Sequence, residues 1–189
     1  MTHSQPNPCS GEAISGRWEL APQRSSVGFR VRLPWGIVTV AGHFDEFSGW
    51  FDLSATPAVV LAIEAASVQT GNDKRDRHLR SSNFFDAEKH PQVRFVSVSA
   101  TLEGDTLKVS GRLSVRGRSI PLRVDAQVRR VDGELQIEAA TTAPHRELGM
   151  TWSLFGLIPP RSELFVNARL IPARQTPHVP ATAYGTEPK

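Results

Sequence analysis

Cysteine is almost absent. One residue, Cys9, occurs in 189, so no disulfide framework can form within one chain. No run of 18 or more apolar residues occurs, so no helix is expected to cross a membrane and stable membrane insertion is not expected. The opening MTHSQPNPCSGEAISG has neither the positive n-region nor the apolar h-region of a secretory leader. A cytoplasmic location is therefore expected, and Cys9, with no apolar leader before it, is not expected to carry a lipid. Lysine is scarce too: 4 against 18 arginines, for a net charge of +3. The arginines are scattered singly, not gathered on one face with stacking aromatics, so no nucleic-acid partner is expected. His3, His43, His78, His90, His145 and His178 show no ligand spacing with one another, with cysteine or with a carboxylate cluster, and no metal site is expected. Phosphate loops, nucleophile elbows and zinc motifs are missing, so neither catalytic residues nor cofactors are expected. One enzymatic alternative stays open, with His145, Arg146 and Glu147 as acid–base groups. His78 suits a structural hydrogen bond, with a general base as its other reading.

The sequence that remains is globular in composition, with 39% hydrophobic and 22% charged residues, enough for one domain. Period-two alternation dominates. In SVGFRVRL, Val27, Phe29, Val31 and Leu33 alternate with Gly28, Arg30 and Arg32. LKVSGRLSVR sets Leu107, Val109, Gly111, Leu113 and Val115 against polar neighbours. LRVDAQVR and ELFVNARL repeat the pattern with Leu122, Val124, Ala126, Val128 and with Leu164, Val166, Ala168, Leu170. Such strands turn one face to a core and one to water, as antiparallel sheets do. Glu103-Gly104-Asp105, Arg116-Gly117-Arg118 and Asp132-Gly133-Glu134 mark turns between them, the last a strong hairpin signal. About nine strands are predicted.

One helix is predicted, from Asn72 to Ser82, with Asn72 as cap and with Asp73–Arg77 and Asp76–Arg80 as i,i+4 pairs. Beyond Leu79 it has little apolar content, so it must cover the sheet. Residues 1–16 and 174–189 are rich in Pro, Ser, Thr and Gly and read as disordered tails around a domain at 17–173. The fold class is all-β, a sandwich or a barrel, and a meander that leaves no edges favours the closed antiparallel barrel.

Three apolar features exceed what a core needs. GMTWSLFGLIPPRSE, from Gly149 to Glu163, fits neither period and reads either as a loop tucked over the core or as a greasy loop at a barrel mouth. RLPWGIVTVAG adds Trp35, Ile37 and Val40 on another turn. In TGNDKRDRHLRSSNFFDAEKHP, a charged run ends in Phe84-Phe85, like a polar lid anchored over an apolar interior.

The chain resembles the YceI-like, lipid/polyisoprenoid-binding family. The likeness runs from WELAPQRSSVGFRVR through VAGHFDEFSGWFDL and SVQTGNDKRDRHLRSSNFFDAEKHPQVRF to VSGRLSVRGRSIPLRV and HRELGMTW. Thr70, Gly71, Asn72, Arg75, Asp76, His78, Leu79, Phe84, Phe85, Pro91 and Phe95 are its most specific run. It implies an extended, lipocalin-like antiparallel barrel of about eight strands with one short helix covering it, in a homodimer. The lumen would hold an isoprenoid lipid or quinone, without catalysis. Lumen and mouth would then be lined by Phe29, Val31, Trp35, Val40, Phe84, Phe95, Leu113, Trp152, Phe155 and Leu157. Gly42 and Gly49 would sit at bends, and Arg75–Asp76 would be architectural. A third reading is a dimeric stress-associated protein whose lumen is filled by its own side chains.

Overall fold

The computed structural model describes residues 16–32, 39–53, 58–150 and 161–173. Eleven strands and one helix are described: β1 (Arg17–Leu20), β2 (Ser26–Arg32), β3 (Thr39–Phe44), β4 (Phe47–Asp52), β5 (Ala58–Glu64), β6 (Val68–Gln69), α1 (Asp73–Arg80), β7 (Gln92–Glu103), β8 (Thr106–Val115), β9 (Arg118–Val131), β10 (Glu134–Ala143) and β11 (Ser162–Pro172). All strand pairings are antiparallel, in the order β1-β4-β5-β7-β8-β9-β10-β11. β1 closes the ring on β11 through Trp18↔Pro172 and Leu20↔Leu170. The result is the expected closed barrel of eight strands.

Eleven strands make eight staves because three staves are broken. β1 and β2 pair with the same edge of β11 and are separated by a 3-10 turn at Pro22–Arg24. β3 and β4 run on from each other opposite them. β5 pairs with β4, and β6, after a second 3-10 turn at Ala65–Ser67, pairs with β3. A break leaves ladder groups without partners, and a serine hydroxyl serves each turn. Ser25 Oγ donates to the Ala21 carbonyl (2.7 Å) and accepts from the Arg169 amide (2.9 Å). Ser67 Oγ donates to the Glu64 carbonyl (2.7 Å) and accepts from the Glu46 amide (3.1 Å).

The hairpins follow their turn chemistry. Arg116-Gly117 and Asp132-Gly133 hold positive φ at both positions (52° and 69°, 54° and 79°), the primed geometry that matches strand twist. The alternation read from sequence holds: Leu107, Val109, Leu113 and Val115 are all buried on β8, as are Leu122, Ala126 and Val128 on β9. β7 breaks its own parity. Its register on β8 shifts between Ser97 and Ser99, and this bulge turns Val98 outward, 77% exposed.

The barrel has two unlike ends. One holds the β7–β8 and β9–β10 hairpins and a cluster of Trp18, Phe51, Leu107, Leu135, Ile137 and Leu170. At the other, α1 and residues 81–91 lie over a second cluster that includes Phe44, Phe47, Val68, Leu79, Phe85 and Leu148. Arg32 and Thr39, which flank residues 33–38, lie at this end, as do Met150 and Arg161, which flank 151–160.

The helix is shorter than its sequence suggested. Asn72 caps it by accepting from the Arg75 amide (3.0 Å), and Ser81 ends it in an extended conformation. Neither Asp73–Arg77 nor Asp76–Arg80 is among the ion pairs of the described residues. Asp73 and Arg77 stand in water. Asp76 is buried and accepts from the Thr70 hydroxyl instead, while Arg80 donates to the Val68 carbonyl (2.8 Å). Arg75 completes the junction by donating Nε to Thr70 Oγ1 (2.7 Å), so Arg75 and Asp76 meet on one threonine. Gly42 and Gly49 are not at bends. They lie inside β3 and β4, where a Cβ would come within 2.6 Å of the Phe29 ring and 2.7 Å of the Val60 carbonyl oxygen.

Candidate functional site

The inward residues of the staves do not meet at the barrel axis. They enclose a cavity of about 230 Å³. A water position needs only about 10–15 Å³, so this space is a lumen and not a packing defect. The side-chain-filled reading is thus not what the described residues form. β8 gives the wall Leu107, Val109, Leu113 and Val115; β9 gives Leu122, Val124 and Ala126; β11 gives Leu164, Val166, Ala168 and Leu170. Phe44, Ile63, Phe84, Phe85, Leu148 and Met150 line it toward the helix end.

Polar side chains on this wall are few. Apart from Trp50, which lies under the Arg17 guanidinium at 4.4 Å, they are Thr141, His145 and Ser162 among the described residues. His145 is buried in the turn after β10, and its Nδ1 lies 3.0 Å from Ser162 Oγ at the start of β11. Burial pushes the imidazole below its ordinary pKa, and the neighbouring Arg146 charge adds to the effect. The ring is therefore neutral near pH 7. Arg146 and Glu147 are exposed. The three groups of the enzymatic alternative therefore do not converge, because consecutive turn residues point to different sides.

Two wall aromatics owe their place to glycine. Phe95 on β7 lies across Gly111 on β8, where a Cβ would come within 2.5 Å of the ring, and Phe29 lies across Gly42 in the same way. A methyl group at either glycine would push the ring into the lumen. The lid is anchored as expected: Phe85 is buried, meets Phe44 edge-on at 5.8 Å and Phe84 at 5.1 Å, and both lid rings reach the lumen. Arg116 ties the covering segments to the barrel. Its Nη1 donates to the Gly149 carbonyl and its Nη2 to the Ser82 carbonyl, both at 2.8 Å.

Of the residues proposed from sequence for lumen and mouth, Phe29, Val31, Phe84, Phe95 and Leu113 lie on the wall. Val40 shares a face with its cross-strand partner Val31 but is half-buried near the end of β3 and outside the wall. Trp35, Trp152, Phe155 and Leu157 lie outside the described residues. His78 is half-buried on α1 and does not line the lumen. Sequence reasoning passed over Ser162 as a wall residue, although the parity of Leu164 to Leu170, carried one step back, reaches it. His145 was noted for its chemistry and not for its place, since no period operates in a turn.

A closed antiparallel barrel with a hollow, apolar interior and a helical cover is an architecture with room for one slender ligand. Residues 18–170 match the YceI-like domain, and the chain belongs to that family. Protein YceI of Escherichia coli O6:H1 is 31% identical over 125 residues, 63% of this chain and 65% of that protein. The matches thus span about 65% of the length of such curated relatives. Among solved structures, BcnA of Burkholderia cenocepacia superposes with a TM-score of 0.72 at 17% identity, over 79% of this chain and 98% of that one. A polyisoprenoid binding domain from Saccharophagus degradans superposes with a TM-score of 0.69 at 16% identity, over 82% and 98%. These likenesses carry the fold. No helix of the described residues is long and apolar enough to cross a membrane.

Proposed function

We propose that the protein binds a long-chain isoprenoid lipid, of polyprenyl or quinone type, in its lumen and holds it without converting it. The observation that carries this reading is the 230 Å³ cavity with its almost wholly apolar wall. Water gains little there, having few polar partners, whereas each CH₂ taken from water contributes about 0.8 kcal/mol. A slender chain suits an eight-stave tube better than a bulky ligand does. The family, and the solved relative named as a polyisoprenoid binding domain, support the same ligand class. Holding over conversion is supported by the outward direction of Arg146 and Glu147.

The reading includes a cytoplasmic homodimer. Val96 and Val98 on β7 leave apolar surface on the outer wall for a second copy to cover, and sedimentation of the full chain checks the stoichiometry. The ligand is tested by mass spectrometry of an organic extract of purified protein. A prenyl lipid at close to one per barrel is expected. An extract without lipid, from a protein that also binds none of a prenol and quinone panel, overturns the reading.

A further inference from the structure

We propose that His145 and Ser162 form a recognition site for a neutral oxygen, a carbonyl or hydroxyl, on the head of the lumen ligand. This rests on the lipid-binding reading and narrows it: the preferred ligand is a prenyl quinone, aldehyde or alcohol, and not a prenyl phosphate.

The two side chains are a polar island at the helix end of an apolar wall. As a strut between the turn after β10 and the start of β11, the pair needs one ring nitrogen, and Nδ1 supplies it at 3.0 Å from Ser162 Oγ. Nε2 is the nitrogen left for a ligand. The imidazole is held neutral by burial and by the neighbouring Arg146. A neutral ring bonded to a hydroxyl has two tautomers. If the serine donates to Nδ1, Nε2–H donates outward, toward a carbonyl; if Nδ1–H donates to the serine, Nε2 accepts from a hydroxyl. The pair can therefore serve either oxygen.

An anionic head has no such match. A phosphate brought into this wall leaves water for apolar side chains and a ring that resists protonation, and a buried charge without a counter-charge is costly. Arg146 and Arg161, next to the pair in sequence, do not offset it, since their side chains stand in solvent, and Arg116 is engaged with the Gly149 and Ser82 carbonyls. The same two residues do not make a hydrolytic pair: the third group that would orient the base is not supplied by Glu147, which is exposed.

The test uses four ligands with one fifteen-carbon chain and different heads: farnesol, farnesal, farnesyl phosphate and farnesene. Each is titrated against delipidated, full-length protein. Farnesol and farnesal are expected to bind about three- to tenfold more tightly than farnesene, the worth of one buried hydrogen bond, and farnesyl phosphate more weakly than farnesol. His145→Leu should bring farnesol and farnesal to the farnesene level, and His145→Gln, which keeps a hydrogen-bonding tip, should restore part of the preference. Ser162→Ala gives a second variant should His145→Leu fold poorly, and it should reduce the same ratio. The infrared carbonyl band of bound farnesal should stand at lower frequency in wild type than in His145→Leu, a change that a merely structural histidine would not produce. Equal binding of all four ligands, tighter binding of farnesyl phosphate, or a farnesol-to-farnesene ratio unchanged in both His145→Leu and Ser162→Ala overturns the head-group site while leaving the lumen reading intact. If none of the four binds, farnesene included, the lipid-binding reading itself falls and takes the site with it.

Discussion

The two ends of the barrel solve the same closure problem by different means. At the hairpin end, two-residue turns bring neighbouring staves together, and the cluster around Trp18, Leu107 and Leu135 is made of apolar side chains. At the helix end, where β8 and β9 also join through a two-residue turn, closure comes from longer covering segments, and all four buried polar residues among those described, Ser67, Asp76, His145 and Ser162, are found there. Local propensity can finish a hairpin. A cover with as little apolar surface as α1 must instead be held by specific hydrogen bonds, such as those of Thr70 and Arg116. The difference places stability without polar chemistry at one end, and the buried polar side chains at the other.

The sharpest way to break this contrast is to remove one large side chain from each end. Phe85→Ala at the helix end should cost about 3–5 kcal/mol and Leu135→Ala at the hairpin end about 2–5 kcal/mol, as buried truncations do. Lipid recovered per folded protein should fall only in Phe85→Ala. Chemical denaturation and lipid extraction measure the two effects. Equal lipid loss in both variants would erase the distinction between the ends.

Arg116→Ala removes the tie from the β8–β9 turn to residues 82 and 149. Two charge-assisted bonds are lost from a half-buried guanidinium, and a cost of about 1.5–3 kcal/mol is expected. Amide hydrogen exchange should rise across 81–91 and 144–150 and stay unchanged at the β9–β10 hairpin. Exchange that rises evenly over the barrel would show that Arg116 supports the whole fold and not the cover.

A smaller effect is expected from pH. His145 is held neutral in the folded chain, while in the unfolded chain it protonates near its ordinary value of about 6.5. Stability from this group is therefore full above that value, falls as pH drops through it, and levels off once pH lies below the folded pKa. Subtracting the stability curve of His145→Gln from that of wild type isolates the step. A difference that is flat from pH 8 to 5, or one that rises as pH falls, contradicts the buried neutral ring.

The smallest effect should come from the chain ends. The Gly16 carbonyl accepts from the Leu53 amide (3.0 Å), so removal of residues 1–15 and 174–189 leaves the closing strands intact. We expect the melting temperature to change by no more than a few degrees, about what a loss under 1 kcal/mol produces. A larger drop would mean that an end packs on the barrel.

Much of the wall was legible because burial on one face imposes a period of two. That period placed Phe29, Val31 and Leu113 correctly and would have reached Ser162. It could not show the bulge at Ser97–Ser99, since an inserted residue leaves the composition of β7 unchanged while reversing which residues face inward. Nor could it show closure, because Trp18 and Pro172 meet across nearly the whole domain and neither announces the other. The glycines were misplaced for a similar reason. Gly42 and Gly49 are required by a ring and a carbonyl on neighbouring staves, not by a bend in their own. His145 was picked out for its chemistry but could not be placed, because turns have no period and only one residue of the three, His145, is turned inward.

The central claim is that the barrel is hollow in order to hold a lipid chain, and Leu113 tests it most directly. Its side chain enters the lumen toward the helix end of β8, beside Phe95. Leu113→Trp should fill part of the 230 Å³, at an overpacking cost of about 1–3 kcal/mol, while the barrel still folds. The decisive measurement is prenyl lipid recovered per mole of folded protein, wild type against Leu113→Trp. The account predicts close to one lipid per wild-type barrel and a clear fall, or a shift to shorter chains, in the variant. An undiminished load of the same lipid in a folded Leu113→Trp protein would contradict it, by showing that the chain lies somewhere other than the lumen.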